Sequence, residues 1–228
     1  MALLPVEKSK VRVNLSEQVV LIYGKPKIGK STFCSKIDDA LFIATEAGLN
    51  YLEVAKVNCT SWESFLEICA ELAQGEHKYK VIIIDTIDNL VDYCSEYVCK
   101  REKINHPADY DYGRGWSMVT RELKVKLSKL ANLPYGLIMV GHSKTEEVSS
   151  RTAKYSKDTI TVTGGNRAVI LNMTDMILYV DYEVKDEKET RVIRTKPTRH
   201  YDAGDRSGKL KEVLPLDYNE VVKCFKEE

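Results

Sequence analysis

Gly24-Lys25-Pro26-Lys27-Ile28-Gly29-Lys30-Ser31 follows the apolar run Val19-Val20-Leu21-Ile22-Tyr23 and precedes a stretch to Ile37 that can form a helix. The motif spells G-x-x-x-x-G-K-[ST], the phosphate-cradling loop. A β-prone run before it and a helix start after it are the context in which such a loop works. Gly24 and Gly29 free the backbone to turn and to approach a ligand closely. Amide N–H groups and the helix N-terminus then offer partial positive charge to phosphates. Lys30 is expected to neutralise the β- and γ-phosphates, Ser31 to hold Mg²⁺, and Thr32 to bond the α-phosphate. Lys25 and Lys27 either add charge or form a solvated loop edge, and Pro26 and Ile28 complete the loop. The reading commits the chain to binding a nucleoside triphosphate, expected to be ATP, with Mg²⁺.

A second element fits the first. Val81-Ile82-Ile83-Ile84-Asp85 is an aliphatic run ending in a carboxylate, the pattern of a strand buried on both faces of a parallel sheet. Asp85 at its end would face the ligand crevice and help hold Mg²⁺, as a Walker B aspartate does. Ala40-Leu41-Phe42-Ile43-Ala44-Thr45 reads as another strand ending at Glu46, and Gly136-Leu137-Ile138-Met139-Val140-Gly141 as one ending at His142. Strands alternating with helices predict a mainly parallel, doubly wound α/β sheet flanked by helices. Ligands of such sheets sit at the carboxyl ends of the strands. Gly24, Glu46, Asp85 and His142 can therefore meet in one crevice although they are far apart in sequence.

The 228 residues suit a single α/β domain with a short polar lead-in over 1–17 and a possible edge strand at Val11-Arg12-Val13. Lys+Arg and Asp+Glu both number 34, so net charge names no polyanionic partner and any nucleic-acid surface must come from local clustering. The six cysteines form no C-x-x-C pair and read as reduced thiols of a cytoplasmic protein. Met1-Ala2-Leu3-Leu4-Pro5-Val6 is too short for a secretory signal, and no stretch approaches a membrane span.

The periodicity places helices over 31–38, from Trp62, from Asp88 to Cys99, from Trp116 to Leu130 and over 217–226. Thr60-Ser61-Trp62-Glu63 reads as a capping box. The helix after it is expected to pack Trp62, Phe65, Leu66, Cys69, Leu72 and Ala73 on one face, and the later one to bury Trp116, Val119, Leu123, Leu127 and Leu130. Residues 100–115 read as a loop and 143–167 as a long loop or hairpin. Late strands are expected at 175–180 and 190–194, turning near the charged run 185–189.

The position after Asp85 is Thr86, so a glutamate adjoining the Walker B aspartate is missing. Leu41-Phe42-Ile43-Ala44-Thr45-Glu46 instead resembles the RecA core, where a glutamate at the end of the strand after the P-loop helix is the general base. That resemblance assigns the base to Glu46, whose alternative is a helix or turn cap. It makes His142, in Gly141-His142-Ser143-Lys144, the sensor of the γ-phosphate, the alternative being a histidine satisfied at a strand end. It offers Arg194 and Lys196, spaced i and i+2 on a late strand, as residues reaching a neighbouring subunit's ATP, with Arg206 a further candidate; each can equally be a solvated edge charge.

The chain as a whole, over roughly residues 17–225, resembles the short phage-encoded RecA-like ATPases of the single-strand-annealing type, a group also filed under generic phage AAA domains. The carriers are the P-loop, Ile84-Asp85-Thr86, Gly113-Arg114-Gly115-Trp116, Gly141-His142-Ser143-Lys144 and Ala203-Gly204-Asp205-Arg206. The resemblance implies a RecA-like core with late antiparallel strands, a homo-oligomer and single-stranded DNA as partner. Single-strand binders combine cations with aromatic platforms, which directs attention to Arg114 and Trp116 in one loop and to Lys144, Arg151, Lys154, Lys157 and Arg167 in another. Acids interleave both loops, and without the resemblance they read as solvated surface. Two alternatives remain: a nucleotide-dependent switch or motor subunit whose partner is a replication or single-strand-binding protein, as in a helicase loader, and a small-molecule kinase.

Overall fold

The computed structural model describes residues 14–149 and 153–226; the expected strand at Val11-Arg12-Val13 and the candidate Arg151 lie outside the described residues. The strands are β1 (Val19–Gly24), β2 (Ala40–Ala44), β3 (Ala55–Asn58), β4 (Val81–Asp85), β5 (Gly136–Ser149), β6 (Lys154–Ile160), β7 (Met176–Lys185), β8 (Lys188–Arg194), β9 (Gly204–Asp205) and β10 (Val213–Pro215). The helices are α1 (Lys30–Cys34), α2 (Trp62–Gln74), α3 (Ile87–Glu102), α4 (Arg114–Ala131), α5 (Gly164–Met173) and α6 (Tyr218–Lys226).

The strands β3-β2-β4-β5-β1-β7 pair in parallel in that order, and β8 and then β10 continue the sheet antiparallel to their neighbours. The α/β architecture with its late antiparallel strands is the one read from the sequence. Strand alternation divides the core. Val19, Leu21, Tyr23, Ile82, Ile84, Leu137 and Met139 pack on one face with α2, α3, α4 and Ile170 of α5. Val20, Ile22, Val81, Ile83, Ile138 and Val140 pack on the other with α1 and α6. Each fully buried aliphatic side chain of this kind contributes about 1.5–3 kcal/mol over leaving it in water. The rigid middle of the sheet is thus the part that fixes the strand ends.

Several local expectations change. α1 stops at Cys34: the Ser35 N–H still bonds the Ser31 carbonyl at 2.8 Å, but Lys36 and Ile37 turn to the carbonyls three residues back, Phe33 at 3.3 Å and Cys34 at 3.1 Å, and the helical ladder ends. The cap of α2 is Ser61 paired with Ser64, one residue later than the expected box, and Ala73 is exposed. α3 runs on to Glu102, and two short 3₁₀ turns, Pro107–Asp109 and Asp111–Gly113, occupy the expected loop. Trp116 is 46% exposed rather than buried: the first turn of α4 packs through Gly115 on Pro107, and the indole meets His106 beside the cleft instead of the sheet core. The segment 143–167 is a hairpin of β5 with β6 followed by the start of α5.

Candidate nucleotide site

Gly24 is required by packing rather than by an unusual dihedral: a Cβ there would collide with the Val180 carbonyl of β7. The turn itself uses Lys27 at φ 62 and Gly29 at φ 111, both left-handed. Such residues redirect successive peptide N–H groups toward one side, the geometry of an anion nest. Ile28, 1% exposed, pins the loop into the α1-side core, while Lys25, Pro26 and Lys27 lie at the surface. Lys30 is 5% exposed, and its ammonium donates to the carbonyls of Gly24 at 3.0 Å and Lys25 at 2.9 Å. Burial pulls its pKa down, while the nearby charges of Asp85, Asp88 and Glu46 work in the opposite direction.

Register aligns the strand ends. Gly24 pairs with His142, Val140 with Asp85, and Asp85 with Ala44. The strand β5 therefore lies between β1, which leads into the P-loop, and β4, which ends at Asp85, and adjacent strands are about 4.8 Å apart. Asp85 is 3% exposed, and burial is the main reason its carboxyl is pushed up. The Ser31 hydroxyl, donating to it, and the charges of Lys30 and His142 oppose that, whereas the charge of Glu46 adds to it. Ser31 and Asp85 thus bring two hard oxygen donors side by side at the loop. The buried Thr86 hydroxyl beside them has no hydrogen-bond partner. Mg²⁺ takes one or two protein oxygens and completes its shell with phosphate and water, so this donor set fits it.

Glu46 is exposed, and its Oε1 would stand 3.2 Å from a Cβ placed on Gly48. Its charge acts on Lys30, Asp85 and His142, so the carboxylate shares their space. Thr45 sets its root. The Thr45 hydroxyl accepts from the Thr86 N–H at 2.6 Å and donates to the Thr86 carbonyl at 2.9 Å. Tyr93 and Asn89 of α3 donate to the Thr45 carbonyl at 3.0 and 3.4 Å. Thr32 is exposed on α1.

His142 sits where β5 leaves the parallel sheet for the hairpin. Its N–H donates to Asp88 Oδ2 at 2.9 Å, and its Nδ1 is 3.4 Å from the same oxygen. Asp88 therefore raises the imidazole pKa; burial and the charge of Lys30 oppose the rise.

Sequence reasoning missed three contributors: Asp88, Thr45 and Arg191. Arg191 of β8 donates from Nη1 to the Ile28 carbonyl at 3.3 Å, and a Cβ on Gly29 would stand 2.8 Å from that nitrogen. A signal existed for Arg191. It shares a strand face with Ile193, and Ile193 is buried on the α1 side.

The remaining candidates lie elsewhere. Arg194 donates to Asp181 at 3.2 Å and stacks over Tyr201, while Lys196 is exposed beyond the end of β8. Arg206 bonds Asp175 at 3.1 Å, and Asp175 accepts the N–H of Val19, so Arg206 is at the amino end of β1, opposite the P-loop. On the hairpin side, Lys144 and Arg167 both pair with Glu146, and Lys157 pairs with Asp202. Lys154 and Arg114 are exposed. Trp116 meets His106 edge-on at 5.3 Å. It stands between a cleft of about 520 Å³, walled by Asp88, Asp92 and Glu96 of α3, and a shallow depression with Arg121 and Lys124. Among the described residues no helix is long and apolar enough to cross a membrane.

Residues 16–207 match a family described as AAA domain. The SPbeta prophage-derived uncharacterized protein YorG of Bacillus subtilis (strain 168) is 25% identical over 193 residues, covering 82% of this chain; the chain spans 57% of that relative's length. With the family match covering most of its length and the P-loop, Asp85 and interposed β5 in register, the chain belongs to the AAA-domain family of P-loop ATPase type.

Proposed function

We propose that the chain is a Mg²⁺-dependent ATPase that couples ATP turnover to binding single-stranded DNA in phage recombination or annealing. The observation that carries the ATPase reading is the convergence of Lys30, Asp85, Glu46 and His142 at or beyond the carboxyl ends of β1, β4 and β2 and at the point where β5 leaves the parallel sheet. The loop N–H groups and the Lys30 ammonium hold the triphosphate. Magnesium, held by Ser31 and Asp85, would draw negative charge from the β- and γ-phosphate oxygens. Glu46 orients a water in line with the γ-phosphorus and takes its proton. The water oxygen bonds to phosphorus as the bond to the β-bridging oxygen breaks, giving ADP and phosphate. His142 reads the terminal phosphate from between the two Walker strands.

For DNA, support comes from Trp116, which shares a surface depression with Arg121 and Lys124, with Arg114 exposed in the same helical turn: an aromatic face beside cations suits a single strand. The test is ATP hydrolysis with and without Mg²⁺ and single-stranded oligonucleotide at low and high salt. Turnover that needs Mg²⁺, rises with DNA and loses that rise at high salt is expected. Turnover indifferent to DNA at low salt would refute the DNA half.

One observation favours a second reading, a nucleotide switch acting on a protein partner as a helicase loader does. The cleft beside Trp116 carries three carboxylates, Asp88, Asp92 and Glu96, on its α3 side and no lysine or arginine among the described residues of its lining, and Lys144, Lys157 and Arg167 are paired with acids. Nucleotide-dependent capture of a replication protein by material that ignores DNA would select this alternative.

A further inference from the structure

We propose that Asp88 is the positioning residue that fixes His142 at the mouth of the triphosphate site and ties it to Thr161 at the foot of the β5–β6 hairpin. The inference rests on the reading of His142 as the side chain that meets the terminal phosphate. β4 ends at Asp85, which pairs with Val140, so the ladder on that side of β5 stops short of His142. A backbone N–H left there needs another acceptor. Asp88 supplies it from the first turn of α3, where a carboxylate is favoured by the helix dipole. Oδ2 takes the His142 N–H at 2.9 Å and lies 3.4 Å from the ring Nδ1. Oδ1 accepts the Thr161 hydroxyl, and the Thr161 N–H bonds the His142 carbonyl at 2.9 Å. Both oxygens of one carboxylate thus hold both ends of the same junction. Around the imidazole stand Lys30 from α1, Glu46 after β2, Asp85 at the end of β4 and Asp88 on α3. Among the described residues Asp88 is the one of these carboxylates within ion-pair distance of the ring, 3.4 Å from Nδ1. A phosphate arriving near Lys30 therefore meets a ring whose direction Asp88 has already set, and any movement of that ring is felt at Thr161.

The test compares Asp88→Asn, His142→Asn and the double variant with the unaltered chain. Asp88→Asn is expected to lower kcat about tenfold or more, the scale of a lost charge-assisted hydrogen bond, while KM and ADP affinity stay within about twofold. Residues acting as one unit give non-additive losses, so the double variant should be no slower than the slower single variant. In nucleotide-free protein, NMR titration should show the His142 ring losing its proton at lower pH in Asp88→Asn. Thr161→Val, which removes only the hydroxyl bond, guards against a misfolded Asp88→Asn; it should move the midpoint upward by leaving Asp88 more free for the ring. An unmoved midpoint in the folded variants, or losses that multiply, would overturn the role of Asp88. If the unaltered chain binds no ATP, the nucleotide reading has failed and this inference falls with it. If the unaltered chain turns ATP over and Asp88→Asn does so equally fast, the role of Asp88 alone is overturned.

Discussion

Charge is arranged in opposite ways at the P-loop and on the β5–β6 hairpin. At the P-loop, Lys30 is buried and donates to two carbonyls, while Asp85, Asp88 and Glu46 act on it without any of them forming an ion pair with it among the described residues. Around the hairpin most cations meet acids: Lys144 of β5 and Arg167 of α5 share Glu146, and Lys157 of β6 meets Asp202, while Lys154 is exposed. The hairpin is also docked. Tyr179 donates to Asp158 at 2.7 Å, Tyr201 stacks on Tyr179 at 5.1 Å, and Tyr23 bonds the Asp202 backbone. The first region keeps a field directed at a ligand; the second turns its charge into structure. A chain with 34 basic and 34 acidic residues reveals neither arrangement by counting, because the field depends on placement.

Removing the ammonium breaks the first region most completely. Lys30→Ala should give no calorimetric heat with Mg-ATP while the protein stays folded, since a lysine 5% exposed at a loop mouth becomes an alanine that still fits the helix. Glu46→Gln comes next. Loss of a general base costs about 10²–10⁴ in kcat, and nucleotide affinity should hold because Glu46 is outside the loop. Single-turnover hydrolysis beside equilibrium binding separates the two effects, and full turnover in Glu46→Gln would remove it from the mechanism.

A third change sharpens the contrast from outside both regions. Trp116→Ala should cost about 1–3 kcal/mol of single-strand affinity if a base stacks there, read by fluorescence anisotropy at low salt. Its effect on unfolding should be small, because the side chain is 46% exposed. Unchanged affinity would move the DNA contact off α4 or favour a protein partner.

The pH dependence of stability is the subtler measurement. Asp88 raises the His142 pKa above its usual value of about 6.5. The folded state therefore holds the proton more tightly than the unfolded chain. The pair contributes fully below about pH 6.5, and that contribution is lost as pH rises through the raised folded value. The melting-temperature gap between the unaltered chain and His142→Gln should narrow as pH rises; a constant gap would show that the ring is not held as a cation.

What could be read in advance follows from how local each cause is. The P-loop, the strand to Asp85 and the parallel core are contiguous runs whose side-chain types fix their environment, so the run Val81–Asp85 coincides with β4 and the run from Val19 to Tyr23 with β1 up to its last residue, Gly24. β3 is four residues, mostly exposed, and carries no pattern. α5 opens Gly164-Gly165-Asn166, which reads as loop, and becomes a helix because Ile170 is buried against the α2–α4 core and Asn166 accepts from Thr120 at 2.9 Å. Trp116 has the right spacing for a buried face, but the first turn of α4 packs on the Pro107 turn rather than on the sheet, which leaves the indole half exposed against His106. Asp88 bonds a residue 54 positions later and Arg191 one 163 positions earlier. Nothing local to Asp88 encodes its partner, and for Arg191 the local pattern gives only the strand face shared with Ile193, not the Ile28 carbonyl it meets.

The smallest effect tests the second region directly. Arg167 pairs with Glu146 at 3.2 Å and also donates to Thr159 at 3.2 Å, and its side chain is 31% exposed. Ion pairs of this exposure contribute about 0–1 kcal/mol, so Arg167→Ala should lower the unfolding free energy by no more than that and leave ATP turnover unchanged. If the hairpin's charge is structural, DNA affinity and its salt slope should also stay as they were, since a cation already paired with an acid neutralises no phosphate. A fall in the slope of log K against log salt by about 0.7, the value for one phosphate contact on a single strand, would mean that Arg167 leaves Glu146 when DNA arrives. The hairpin would then belong with the P-loop as a surface whose charges are held for a ligand, and the contrast between the two regions would apply to the nucleic-acid-free protein alone.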